Sequence, residues 1–108
     1  MTENALLHGT LDALILKTLA SGPRHGYGIA RFLEEATDGA VAIEEGSLYP
    51  ALYRLERRSL LEAEWRLSEL NRRAKFYRLT REGRTELGRE TRAWAALSAA
   101  VSRVLLPA

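Results

Sequence analysis

Apolar residues recur at three- and four-residue spacing in two early stretches of the chain. Leu11, Leu14, Ile15 and Leu19 form one such face. Thr10 precedes it as an N-cap, Asp12 suits its first turn, and Ser21-Gly22-Pro23 ends it. A second face follows in Ile29, Phe32, Leu33 and Ala36, entered through His25-Gly26-Tyr27-Gly28 and stopped at Thr37-Asp38-Gly39. Two helices are predicted. Val41 and Ile43 alternate with small residues and predict a strand fragment or an extended connection.

A third helix is predicted with Leu48, Ala51, Leu52 and Leu55 on its core face. Ser47, Pro50, Tyr53, Arg54, Arg57 and Arg58 fall towards the opposite side. A missing N–H is tolerated best in the first turns, so Pro50 places the helix start between Glu44 and Ser47. Glu44 and Glu45 then suit the positive end of the helix dipole.

The period now changes to two. Leu61, Ala63, Trp65 and Leu67 alternate with Glu62, Glu64 and Arg66, the pattern of a half-buried strand, and Lys75 to Thr80 supplies a second strand. Ser68 to Ala74 is expected as a polar hairpin tip. Thr80 can cap a last helix running to about Leu106, with Glu82 in its first turn and Gly83 and Gly88 weakening its early turns. Leu87, Trp94, Leu97, Val101 and Val104 follow a seam along it, and Ala93 to Leu106 is apolar nearly all round. A small head with its own core cannot bury that segment, so a homodimer is expected.

Composition narrows the chemistry. The 108 residues suit one domain with at most an extra helix, and 46% hydrophobic with 28% charged residues is ordinary globular usage. The absence of cysteine excludes a disulfide framework, a cysteine-ligated zinc site and a cysteine nucleophile. Met1-Thr2-Glu3-Asn4 does not open a signal peptide and no apolar run approaches a membrane span, so a cytoplasmic protein without membrane partners is expected. His8 and His25 have no second ligand at metal spacing, and neither Ser21 nor Ser47 sits in a nucleophile elbow. No enzyme activity and no cofactor are expected.

Charge is more informative in its distribution than in its total of +2. Residues 1 to 53 carry a net −4 and residues 54 to 92 a net +5. From Asn71 to Arg81 the chain holds Arg72, Arg73, Lys75, Arg78 and Arg81 with no acid, around Phe76 and Tyr77. Three helices followed by a hairpin, with the basic charge on the third helix and the hairpin tip, describe a winged helix-turn-helix that binds double-stranded DNA. The fold class is therefore mainly α with a small β-hairpin: a winged helix-turn-helix domain over residues 1–80 and a long C-terminal dimerisation helix over residues 81–108.

The candidate DNA-binding residues are Tyr27, Ser47, Tyr49, Pro50, Arg54, Asn71, Arg72, Arg73 and Lys75. Ser47 and Pro50 lie at the helix start, where short side chains reach bases or sugars. Tyr27 is a phosphate donor or a core edge, and Tyr49 packs on the wing or touches DNA. Arg54 binds phosphate or pairs with Glu45 or Glu56. Arg72, Arg73 and Lys75 are phosphate contacts, since a solvated loop gains nothing from adjacent like charges. Tyr77 and Leu79 read as core. Two rivals use the same fold: a winged-helix protein-interaction module without DNA binding, and a ribonucleoprotein subunit, which lacks the exposed aromatic sheet of RNA readers.

Three runs carry a resemblance. They are His25-Gly26-Tyr27-Gly28-Ile29, then Gly46-Ser47-Leu48-Tyr49-Pro50-Ala51-Leu52-Tyr53-Arg54-Leu55-Glu56, then Asn71-Arg72-Arg73-Ala74-Lys75-Phe76-Tyr77-Arg78-Leu79-Thr80-Arg81-Glu82-Gly83-Arg84. Over roughly residues 6 to 106 the chain resembles the PadR-type bacterial transcriptional regulators, and the middle run is the specific one. The resemblance implies a dimeric repressor whose C-terminal helix packs against the partner subunit. A Ser or Thr commonly opens the recognition helix in that family, where this chain has Glu44. Some relatives bind multiple drugs between paired tryptophans, and the resemblance puts Trp94 at that place, with Leu97 and Val101 beside it. Trp94 then lines a slot for a planar apolar effector, or Ala93, Ala95, Ala96, Ala99 and Ala100 let the helices close and bury the indole. Two-fold symmetry implies an inverted-repeat operator.

Overall fold

A computed structural model describes residues 10 to 107; His8 and the N-terminal residues before it lie outside them. The described residues form α1 (Leu11–Leu19), β1 (Arg24–His25), α2 (Gly26–Ala36), α3 (Glu45–Arg57), β2 (Leu61–Leu67), β3 (Arg73–Leu79) and α4 (Arg81–Leu105). The three helices, the hairpin and the long last helix stand in the predicted order. This is a winged helix fold with a C-terminal helical extension.

The two predicted apolar faces and that of α3 meet in one core. Ile15, Leu16, Leu19, Ile29, Leu48, Leu52, Leu55 and Leu61 are buried there, and Tyr77 and Leu79 close it from the sheet. Helix ends are set locally. Asp38 (φ 56°) and Ser59 (φ 62°) take the left-handed conformation just past α2 and α3. Gly39 N–H then donates to Glu34 O (2.7 Å), and Leu60 N–H to Leu55 O (3.0 Å), closing both helices with Schellman bonds. The chain can therefore turn sharply from α3 into the hairpin.

The sheet differs from the two-stranded hairpin expected. Arg24 and His25 pair with Tyr77 and Phe76, so β1 adds a third antiparallel strand and the order is β1-β3-β2. A two-residue strand is too short to show alternation, which is why periodicity missed it. Val41 to Ile43 forms no strand and runs as a connection. β3 begins at Arg73, two residues before the expected start, which shortens the tip to residues 68–72.

The hairpin register pairs Leu61 with Leu79, Ala63 with Tyr77, Trp65 with Lys75 and Leu67 with Arg73. Only the first two rungs sit over the core. Trp65 and Leu67, expected on a half-buried face, are exposed because the strands, about 3.3 Å per residue, run past the end of the helices beneath them.

Pro50 stands in the second turn of α3 and cannot donate to the carbonyl four residues back, so the helix proceeds without that bond. Helix α4 starts at a side-chain cap, Gly83 N–H donating to Thr80 Oγ1 at 2.9 Å. Thr80 Oγ1 donates in turn to Ser59 O (2.8 Å) and lies 3.0 Å from Leu60 O. The first half of α4 packs on α1 and β3 and brings Leu87 against the core. Its second half projects, extending the molecule to 53 Å along its long axis. Trp94, Leu97, Val101 and Val104 of the predicted seam are all exposed. No described helix is long and apolar enough to cross a membrane.

Candidate nucleic-acid interface

Three elements place their polar side chains around one cleft: the start of α2, the start of α3 and the hairpin tip. The cleft has a volume of about 480 Å3 and includes Tyr27, Tyr49, Arg72, Arg73 and Lys75 of the predicted residues in its lining.

His25 builds the α2 side. Its Nδ1 accepts a hydrogen bond from Gly28 N–H at 3.0 Å, capping the helix, and its ring meets Phe76 edge-on at 5.0 Å. The imidazole is thus a structural cap of the kind usually supplied by Ser or Asp. Tyr27, two residues on, is left exposed, with its hydroxyl accepting from Arg31 at 3.1 Å.

Tyr49 projects from α3 against Gly26. A Cβ at position 26 would lie 2.7 Å from Tyr49 Oη, so the ring position depends on the missing side chain. Pro50, Tyr53, Arg54 and Arg57 are exposed on the same helix, while Ser47 is half-buried rather than fully outward. Glu44 takes the N-cap position without a side-chain cap hydrogen bond, as its departure from the Ser or Thr pattern implies.

The predicted cations fall into two groups. Arg54 is paired, but with Asp12 of α1 at 3.3 Å rather than with Glu45 or Glu56. Lys75 pairs with Glu56 of α3 at 3.2 Å and so ties the wing to that helix. Both pairs are partly exposed, a setting in which ion pairs contribute about 0–1 kcal/mol. Arg72 and Arg73 are different: among the described residues neither pairs with an acid. Asn71 supports them from the tip, where its φ of 60° lets Ser68 O accept from Asn71 N–H (2.9 Å) and Arg72 O from Ser68 N–H (2.8 Å). Asn tolerates this left-handed conformation better than most residues.

Trp65 was absent from the predicted site and lies in the cleft wall, with the Arg73 guanidinium 5.2 Å from its ring centroid. Its strand pattern reads as core. The available signal was rung position, since Trp65 lies beyond the Ala63–Tyr77 pair that ends the buried part of the hairpin.

Comparison with known proteins agrees with this architecture. The sequence profile of the Transcriptional regulator PadR-like family matches residues 15–89. An uncharacterised protein of Lysinibacillus sphaericus is 30% identical over 95 residues, covering 88% of this chain and 87% of that protein. Among solved structures, a transcriptional regulator from Clostridium thermocellum superposes with a TM-score of 0.84 at 27% identity, covering 92% of this chain and 96% of the other. A PadR family transcriptional regulator from Eggerthella lenta gives 0.79 at 34% identity, covering 96% and 88%. With the family profile spanning the core, the sheet and the start of the last helix, this chain belongs to the PadR-like family of transcriptional regulators.

Proposed function

We propose that the chain is a sequence-specific DNA-binding repressor acting as a homodimer, with residues 1–80 as the DNA-binding head and 81–108 as the dimerisation helix. The observation that carries it is the wing tip, where Arg72 and Arg73 stand exposed and without an acidic partner among the described residues, beside the exposed face of α3. Adjacent guanidinium groups held without a counter-charge suit the phosphates of a duplex. Phosphate contacts from Tyr27, Arg54, Asn71, Arg72, Arg73 and Lys75 fix the position of the head. Ser47, Tyr49 and Pro50, at the start of α3, face the bases and sugars of the major groove.

The exposed seam of Trp94, Leu97 and Val101 supports pairing of two copies through α4, because an apolar helix face of this length is costly to leave in water. That symmetry leads to an inverted-repeat operator. A planar apolar effector held between the two Trp94 rings, or another signal, releases the repressor in this reading, provided that it binds the DNA-incompetent form more tightly.

The test is selection of bound duplexes from random DNA, followed by a salt titration of the best sequence. Inverted repeats with half-sites about 10 base pairs apart are expected. The slope of log affinity against log salt is expected to flatten by up to about 0.9 for each phosphate that Arg72→Ala with Arg73→Ala leaves without its arginine. Unchanged binding by that double variant would remove the wing from the interface, and failure to select any duplex would overturn the reading.

A further inference from the structure

The tip arginines Arg72 and Arg73 are accounted for by the proposed phosphate binding, but three large apolar side chains beside them are not. Trp65 is 58% exposed, Leu67 63% and Leu70, in the tip turn, 73%. Neighbouring apolar side chains displayed on a projecting hairpin mark a contact with a partner. Trp65 and Leu70 line the cleft described above, together with Tyr27 and Tyr49, and Arg72 and Arg73 share the same lining. The Arg73 guanidinium lies close to the indole ring, so cation and apolar surface are offered together. The acid in that lining, Glu69, is 3.8 Å from His25 Nε2.

We propose that this cleft takes one sugar–phosphate unit of the DNA backbone, with the phosphate on Arg72 and Arg73 and the deoxyribose ring packed against Trp65 and Leu70. The occupant follows from the lining. A deoxyribose presents C–H groups next to a fixed negative charge, and the wall presents apolar carbon next to fixed positive charge. A purely apolar peptide would leave both arginines without a counter-charge. The inference rests on the DNA-binding reading and adds to it a salt-independent source of affinity, because apolar contact releases no counterions.

The experiment uses the full chain and the duplex that it selects from random DNA. Affinity is measured across a range of salt for the wild type and Leu70→Ser, a change in an exposed turn position. Leu70→Ser is expected to bind roughly tenfold more weakly at every salt concentration with an unchanged slope, as befits removal of an apolar side chain that the complex buries. In a Trp94→Phe background, Trp65 emission is expected to shift to the blue on saturation with duplex. Wild-type affinity in Leu70→Ser, or Trp65 emission that does not move, would overturn the proposal while leaving the DNA reading intact. Absence of any duplex binding by the wild type would overturn both.

Discussion

Gly83, in the first turn of α4, packs directly on the carbonyl oxygen of Leu60, the residue that closes α3. A Cβ at position 83 would overlap that oxygen and lie 2.6 Å from Leu79 Cδ1. The same carbonyl accepts from Thr80 N–H at 3.1 Å. The end of α3, the end of the wing and the start of the projecting helix are thereby held at one point.

Helix propensity alone would have Gly83→Ala stabilise the protein by up to about 1 kcal/mol. The contact with Leu60 reverses the sign, and a destabilisation of about 1–3 kcal/mol is expected from forcing the helix off the carbonyl. Gly88→Ala is the control. Its Cβ would meet only the end of the Arg92 side chain at 3.4 Å, so it should keep the propensity gain. Urea unfolding of the two variants at equal concentration checks this, and a stabilised Gly83→Ala would refute it.

Stability should fall as pH rises from about 4.5 to about 7. Burial, reinforced by the Glu86 carboxylate one turn away, pushes the Glu90 carboxyl up to about 7, with Asp12 acting in the same direction and Arg58 against it. The folded chain thus holds a proton that the unfolded chain has given up, and this stabilisation is full below an ordinary carboxylate value of 4.5 and disappears as pH rises through about 7. Glu86 has the opposite sign. Hydrogen bonds from Arg89 and Glu90 hold it down to about 2, so its contribution is full above 4.5 and vanishes as pH falls towards 2. Unfolding midpoints measured from pH 4 to 9 should decline between about 4.5 and 7 and level off above that, and Glu90→Gln should flatten that decline. An equal decline in the variant would exclude Glu90 as its source.

Asp12 should act as an internal competitor for DNA. It holds Arg54 of α3 at 3.3 Å, and a phosphate must displace it. Asp12→Asn is expected to tighten duplex binding and to steepen the salt slope by up to about 0.9, the equivalent of one more neutralised phosphate. Adding Arg54→Ala should abolish that gain, which a double-mutant cycle reads directly. No change in Asp12→Asn would mean that Arg54 reaches phosphate without leaving its partner.

The core faces of α1, α2 and α3 could be read directly from the chain, because Ile15, Leu19, Ile29, Leu33, Leu52 and Leu55 repeat at helical spacing and each is buried. The hairpin and the Thr80 cap were equally local, the first a period-two pattern and the second one hydroxyl before a helix. Charge distribution pointed to the basic tip for the same reason: Arg72 and Arg73 are neighbours in the chain, so their proximity needs no fold.

Contacts between distant residues were beyond that reach. Asp12 and Arg54 are 42 residues apart, Lys75 and Glu56 are 19 apart, and which acid meets which cation depends on how α1 and the wing pack on α3. The two-residue strand β1 exists only because β3 lies alongside it. Trp65 and Leu79 have the same alternating pattern, yet one is exposed and the other buried, because burial depends on where the helices beneath the sheet end. Residue order alone determined the longer elements, their apolar faces and the Thr80 cap, since these arise from interactions a few residues apart. Tertiary structure decided which apolar faces found a partner and which charges remained free, because those outcomes are set by the relative placement of whole elements.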